Sequence, residues 1–144
     1  TEADVCEHLD LIREQQDRTG GFLAFIPWVF QPQTKKFTVR HVRGWEYLRL
    51  VAVARLFLDN IPNIEVSVLG MGKDLGELAL FAGANDINSI VIEENVLRSS
   101  GLKTLGAARK FIREAGFTPA RRTLGYEFNR YPEEPATAPA TNLG

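Results

Sequence analysis

Two carboxylates and an amide follow an apolar run of residues in the second half of the chain. Ser89-Ile-Val-Ile92 has the β-branched, apolar character of a strand covered on both faces, and Glu93, Glu94 and Asn95 come directly after it. Parallel sheets and barrels carry their ligands at the carboxyl ends of their strands. Successive strand side chains point to opposite faces, so only one glutamate can face a cavity. The residues indicate polar contacts to a ligand, with a salt bridge or a cap as the alternative.

A second strand end is aromatic and rich in proline. The apolar segment from Phe22 to Trp28 predicts a strand that leads into Pro27, Trp28, Phe30 and Pro32. Aromatic rings at such a position stack on ring-bearing substrates, and the two prolines stiffen the turn. We interpret this end as the apolar wall of a site. Packing between strand and helix is the alternative.

A glycine-rich segment joins a predicted strand to a predicted helix. Gly70-Met-Gly72-Lys-Asp-Leu-Gly76 follows the strand Ile64 to Leu69 and opens a helix that Asp74 caps and that runs to Ala82. Glu93 lies about 20 residues later, as in a dinucleotide-binding fingerprint. Backbone N–H groups at a helix start bind anions. A non-catalytic nucleotide-binding module that uses Gly70 to Gly76 is therefore one hypothesis, and a simple tight turn is another.

The remaining reactive residue types form no recognisable set. His8 and His41 have no nearby partners at the spacing of a triad or a metal site, and Cys6 is the only cysteine of the chain. We expect solvated histidines, an inert thiol and no metal site.

Composition limits the class of protein. The 144 residues suffice for one domain, and 44% of them are hydrophobic. The 17 basic and 18 acidic residues give a net charge of -1, which disfavours binding to nucleic acid or to an anionic membrane surface. No apolar run reaches the roughly 20 residues of a membrane span. A cytoplasmic protein is expected, with a segment of residues 1–131 and a disordered tail at 132–144 that is rich in Pro, Ala and Thr.

The pattern of elements predicts an α/β fold with a parallel sheet. Helices and strands alternate from the first helix, which ends at Gly20-Gly21, to a last helix that closes at Gly116-Phe117. Gly83-Ala-Asn-Asp86 precedes a strand and is expected to be a turn on the structural side of the sheet. A parallel sheet of three strands leaves open edges, and a parallel barrel needs about eight strands. The predicted assembly is incomplete.

Several of these motifs resemble one known family in their order and separation. The motifs are His8-Leu9, Arg13-Glu-Gln-Gln-Asp17, Thr19-Gly-Gly-Phe22, Phe25-Ile-Pro-Trp28, Phe30-Gln-Pro32, Asp59-Asn-Ile-Pro-Asn63, Met71-Gly72, Gly83-Ala-Asn-Asp86 and Ile92-Glu-Glu-Asn-Val96. Together they are similar to cyclic dehypoxanthine futalosine synthase, a radical S-adenosylmethionine family of the futalosine route to menaquinone. Related families are aminofutalosine synthase and the synthases of the deazaflavin chromophore, and a fragment of one of these is an alternative.

The resemblance implies a C-terminal portion, about three β/α units, of a parallel (β/α) barrel of the TIM type. In this family a [4Fe-4S] cluster held by a CxxxCxxC motif cleaves S-adenosylmethionine, and the resulting radical leads to cyclisation of a nucleoside-derived substrate. The motif belongs to an N-terminal half, which the chain is expected to need in cis or in trans and without which it is expected to be inactive. A remnant of an interrupted gene, with no function, is a further alternative.

The resemblance also assigns residues to the substrate cavity. It implies that Pro27, Trp28 and Phe30 form an apolar wall of this cavity. Ser67 and Gly70 would line it from the middle strand, and Glu93, Glu94 and Asn95 would make polar contacts to the substrate. It implies no metal ligand in this chain and leaves the catalytic residues unassigned.

Overall fold

The computed structural model describes residues 1–29, 40–87 and 104–130. Within these ranges the elements are α1 (Glu2–Thr19), β1 (Ala24–Phe25), α2 (Gly44–Phe57), β2 (Asn63–Val66), α3 (Val68–Met71), α4 (Lys73–Phe81), β3 (Asp86–Ile87), α5 (Leu105–Glu114), β4 (Ala120–Arg122) and β5 (Phe128–Arg130). None of the helices in these ranges has both the length and the hydropathy that crossing a bilayer requires.

The centre of the fold is a parallel sheet with β2 between β1 and β3. The aligned pairs are Ala24 with Asn63, Phe25 with Ile64, Glu65 with Asp86, and Val66 with Ile87. The predicted α/β class and a parallel sheet of three strands are confirmed. The third strand of this sheet is Asp86–Ile87, whereas the predicted strand Ser89 to Ile92 lies outside the described residues, as does the expected tail at 132–144.

The helices cover one face of this sheet. Ile64 and Val66 of β2 are fully buried in a core that includes Val51 of α2 and Ala79 of α4. This burial drives the packing of the helices on the sheet, because apolar area leaves water. Leu48, Val51, Ala52 and Leu56 are spaced so as to predict one broad apolar face on α2. Leu56 is nevertheless 83% exposed, so that part of the prediction is wrong.

The termini of α1 follow local rules. Asp4, with Glu7 three residues later, predicts a cap at Asp4; the N-cap is instead Thr1, whose side chain accepts from the Asp4 N–H. The helix ends at Gly20, as predicted, and Gly20 has a left-handed φ of 60°. Near this end, the Gln16 amide bonds with both the N–H and the carbonyl of Phe22 and thereby fixes the approach to β1.

The amino edge of the sheet is held by one asparagine and one arginine. The Asn85 Oδ1 accepts from the Ile64 N–H at 2.8 Å and from Arg55 Nη2 at 2.9 Å. Arg55 Nε also donates to the Gly83 carbonyl at 2.7 Å. The Gly83 turn therefore has the structural role that the sequence predicts, although Asp86 already belongs to β3.

The segment after β2 differs from the prediction. The strand ends at Val66 instead of Leu69, because Ser67 caps the short helix α3 through a hydrogen bond to the Gly70 N–H. Gly72, with φ 84°, then separates α3 from α4. Asp74 lies in the first turn of α4 and is not its cap.

The end of α5 and the hairpin that follows complete the described fold. Gly116 (φ 84°) donates to the Arg113 carbonyl and Phe117 to the Ile112 carbonyl, which is the predicted Schellman motif. The Phe117 ring contacts Phe81 of α4 at a centroid distance of 5.1 Å. Antiparallel β4 and β5 then form a hairpin that the sequence did not predict.

Candidate functional site

The carboxyl ends of β1 and β2 meet at one edge of the sheet, because these strands are parallel neighbours. Trp28 lies three residues beyond Phe25, and Ser67 lies three residues beyond Ile64, the register partner of Phe25. The two segments therefore leave the sheet at the same level. The segment after β3 lies outside the described residues.

The β1 end combines a buried proline with an exposed indole. Pro27 is buried, whereas Trp28 is 71% exposed, and the neighbouring Ile26 is also exposed. Large apolar side chains exposed side by side mark a contact surface for a ligand or for another segment of protein. The Trp28 ring is the part of the predicted apolar wall that is available for stacking.

The β2 end is organised around a buried serine. The Ser67 N–H donates to the Tyr47 hydroxyl of α2 at 3.3 Å, and Ser67 Oγ accepts from the Gly70 N–H at 3.4 Å. Ser67 is 3% exposed, and Gly70 is exposed. The resemblance places both residues on the middle strand. Ser67 instead caps α3, and Gly70 lies within that helix, because the serine side chain accepts a hydrogen bond from the Gly70 N–H.

Tyr47 supports this end from the helical layer. Burial raises the pKa of its phenol, the hydrogen bond from Ser67 opposes that increase, and the negative charge of Glu65 adds to it. Tyr47 therefore keeps its proton at neutral pH. A fully buried tyrosine bonded to the backbone of Ser67 fixes the point at which the chain leaves β2.

Packing accounts for one glycine of the fingerprint-like segment. A Cβ at Gly76 would lie 2.8 Å from Val68 Cγ2, so glycine permits the close approach of α3 and α4. A Cβ at Gly72 would meet nothing within 4 Å, and this position needs glycine for its positive φ.

A polar cluster lies on the face of the sheet opposite the helical core. Strand alternation places Glu65 on the side away from Ile64 and Val66, where it is buried and paired with Arg122 of β4 at 2.9 Å. The same arginine bridges to Asp86, the register partner of Glu65. The hairpin therefore covers this face.

Tyr126, in the hairpin loop, completes the polar cluster. The centroid of its ring lies 4.4 Å from the Arg122 guanidinium carbon. Burial, together with the negative charge of Asp86, raises the pKa of Tyr126 to about 12. Sequence reasoning missed the cluster of Glu65, Asp86, Arg122 and Tyr126. The available signal was the acidic Glu65 inside an otherwise apolar run.

The structure thus brings four predicted site residues, Pro27, Trp28, Ser67 and Gly70, to one edge. The other four, Phe30, Glu93, Glu94 and Asn95, lie outside the described residues. Among the described residues no group of three or more His, Cys, Asp or Glu side chains could hold a metal ion. The edge offers an exposed ring and backbone polar groups beside a buried capping serine.

These features define a parallel β/α unit with an aromatic and polar carboxyl edge. The chain belongs to the family described as CofH/MqnC C-terminal region, which matches residues 19–135. The resemblance found in the sequence motifs is confirmed.

The relatives of the chain include enzymes of two names. A cyclic dehypoxanthine futalosine synthase of Streptomyces coelicolor is 44% identical over an alignment 148 positions long, gaps included, which covers 96% of this chain and 36% of the relative. One of Halalkalibacterium halodurans is 45% identical over 140 residues, 91% of this chain and 36% of the relative. An aminodeoxyfutalosine synthase of Thermus thermophilus is 35% identical over 134 residues, 83% of this chain and 35% of the relative. The chain spans about a third of the length of these proteins.

Proposed function

We propose that the chain is the C-terminal part of a radical S-adenosylmethionine enzyme that cyclises a futalosine-derived nucleoside in menaquinone biosynthesis. One observation carries the proposal: a cyclic dehypoxanthine futalosine synthase is 44% identical across 96% of this chain. The parallel sheet supports it, since its carboxyl edge carries the matching Phe25-Ile-Pro-Trp28 motif. We place this enzyme in the cytoplasm.

The chain would supply one wall of the substrate cavity. Trp28 is the exposed ring that would stack on the substrate, and the capped turn from Ser67 to Gly70 would line the next strand end. Phe30, Glu93, Glu94 and Asn95 are the further proposed wall residues. Such a wall excludes water and orients the substrate, which lowers the entropic part of the barrier.

The cofactors of the proposed enzyme are S-adenosylmethionine and a [4Fe-4S] cluster, which generate the radical. The residues of this chain do not fit the cluster: Cys6 is its only cysteine, whereas a CxxxCxxC motif supplies three thiolates. The ligands would come from an N-terminal region, in cis or in trans. The residues of this chain would act on the substrate only.

The sheet itself supports an incomplete barrel. In the described residues β1 and β3 each pair with β2, and apolar side chains on both sides of β1 are exposed: Phe22 before it, and Ile26 and Trp28 after it. Strand edges with adjacent apolar groups pair with further strands. We propose that these edges join the remaining strands of a (β/α) barrel.

Co-expression tests this assembly. The isolated chain is expected to associate or aggregate in light-scattering measurements and to lack iron-sulfur absorbance. Expressed with the N-terminal two-thirds of the Streptomyces coelicolor relative, it is expected to form a one-to-one complex that carries a cluster. A stable monomer that carries a cluster by itself would contradict the proposal.

Activity of the assembled enzyme tests the site. An aromatic contact contributes about 0.5–1.5 kcal/mol, so Trp28→Ala should raise KM for the nucleoside about 2- to 10-fold. Trp45→Ala is the matched control, because Trp45 is a similarly exposed tryptophan on α2, and it should leave KM unchanged. Equal effects of the two substitutions would remove Trp28 from the cavity.

A nucleotide-binding module is the second candidate function, and the glycine-rich turn from Gly70 to Gly72, which opens α4, is the feature that favours it. Calorimetric titration of the isolated chain with NAD and with S-adenosylmethionine separates the two. Saturable binding by the chain alone would support the module, and none is expected if the chain is a barrel segment.

A further inference from the structure

The hairpin formed by β4 and β5 approaches the sheet from the side that the helices leave uncovered. Its anchor is Arg122, whose side chain is 15% exposed and reaches two carboxylates, Glu65 on β2 and Asp86 on β3. These residues are 57 and 36 positions away in the sequence. One side chain therefore ties the C-terminal hairpin to both neighbouring strands.

The anchor is nearly buried on both sides. The Glu65 and Asp86 side chains are 7% and 14% exposed, and Arg122 donates Nη2 to the first and Nε to the second. Charge-assisted bonds of this kind are strong and directional, and breaking one side of a buried pair leaves an uncompensated charge. The hairpin cannot shift on the sheet without disturbing both carboxylates.

Tyr126 adds backbone strain to this arrangement. It is the non-glycine residue of the described chain with a positive φ, 60°, a conformation that side chains with a Cβ rarely adopt. The ring stacks on Arg122, with its centroid 4.4 Å from the guanidinium carbon. Strained residues persist where their surroundings over-determine them, and they cluster at functional elements.

The anchor is close to the proposed substrate wall. Glu65 precedes Ser67 by two residues, and strand alternation places Glu65 on the face that lies away from Val66. The turn at Ser67 is itself held by the Tyr47 hydroxyl, which accepts from the Ser67 N–H. A displacement of Glu65 would reach this turn along β2, two residues away.

We propose that Arg122 is a positioning residue, which holds the hairpin against the open face of the sheet and thereby fixes the end of β2 from which Ser67 and α3 extend. The role of Ser67 as part of the substrate wall rests on the proposed function. The mechanical coupling between the hairpin and the end of β2 does not rest on it, because the coupling follows from the contacts of Arg122 alone.

Hydrogen exchange measured by mass spectrometry tests the coupling in this chain, alone and in the assembled enzyme. Arg122→Met should raise the exchange rates of amides in residues 120–130 and in residues 67–72 about tenfold or more, while α1 stays unchanged, because local opening is confined to coupled units. Arg121→Met is the matched control: the neighbouring arginine on the same strand is exposed, and its loss should change neither segment. Arg122→Lys keeps the charge without the two-pronged geometry and should give an intermediate result.

The outcomes are decisive in either direction. Faster exchange in the hairpin alone, with residues 67–72 unchanged, would overturn the positioning role, as would equal effects of the two arginine substitutions. Should Arg122→Met fail to fold, Asp86→Asn removes one anchor charge, and the same two segments are compared.

Kinetics of the assembled enzyme add a readout that general destabilisation would not move. Misplacing the wall should lower kcat/KM for the nucleoside, by up to about 100-fold for an error near 1 Å, with partial rescue in Arg122→Lys. Cluster content and cleavage of S-adenosylmethionine without substrate should match the unsubstituted enzyme. If the proposed cyclisation fails altogether, the exchange result still decides the coupling.

Discussion

Gly76 offers a direct test of why the glycine-rich segment contains glycine. An alanine Cβ at this position would lie 2.8 Å from Cγ2, 3.4 Å from Cγ1 and 3.5 Å from Cβ of Val68. Val68 is buried and β-branched, so its side chain has little freedom to move away. Overpacking of this kind costs about 1–3 kcal/mol, whereas alanine gains about 1 kcal/mol over glycine in a helix. Gly76→Ala should therefore lower the free energy of unfolding by about 0–2 kcal/mol.

A double-mutant cycle isolates the contact. Val68→Ala removes the two methyl groups that Gly76→Ala would meet, so in that background Gly76→Ala should become stabilising by up to about 1 kcal/mol. The coupling energy between the two positions should then be about 1–3 kcal/mol. The assay is urea unfolding of the purified chain at one protein concentration, because association makes apparent stability depend on concentration.

Gly106→Ala is the matched control, because a Cβ there would meet only Thr104 Oγ1, at 3.8 Å. This substitution should be neutral or stabilising by up to about 1 kcal/mol, whatever residue occupies position 68. The packing argument is refuted if Gly76→Ala and Gly106→Ala behave alike, or if the cycle shows no coupling to Val68.

Two further changes test the amino edge and one exposed ion pair. Asn85→Ala should lower the free energy of unfolding in urea by about 1–3 kcal/mol, because the Ile64 N–H loses its acceptor, whereas Asn129→Ala, at an exposed position, should change it little. The Arg40 guanidinium, with a further bond from the Arg43 N–H, lowers the pKa of Glu46 to about 2. A carboxyl group whose pKa is lower in the folded protein than in the unfolded chain stabilises the fold at pH values above its unfolded pKa, near 4.5. This contribution to stability is lost as the pH falls toward 2. Thermal melts of Glu46→Gln between these pH values should show a shallower loss of stability; identical profiles would argue against the Glu46 pair.

Part of this fold follows from residues that are close in sequence. The helix ends at Gly20, Gly83 and Gly116 were predicted because a left-handed C-terminal residue depends on its own φ and on carbonyls a few positions earlier. The alternation of helices with apolar strands was sufficient for the α/β class and the parallel sheet. The motifs around Trp28 and Asn85 were sufficient to identify the family.

The candidate site was only partly accessible in the same way. Trp28 and Ser67 were placed at one edge, because carboxyl ends of parallel strands must meet there. The strand was extended too far through Val68 and Leu69, since an apolar run fits a strand or a buried helix equally well. The capping serine was the local signal that favoured the helix.

By itself, the sequence determined the class of fold, the ends of several helices and the family, because these depend on short-range geometry and on ordered motifs. Only the tertiary structure decided that Arg122 joins Glu65 and Asp86, that Leu56 faces solvent, and that Gly76 touches Val68. Such contacts depend on how elements far apart in the sequence pack against one another, and no local sequence pattern determines the distance between their side chains.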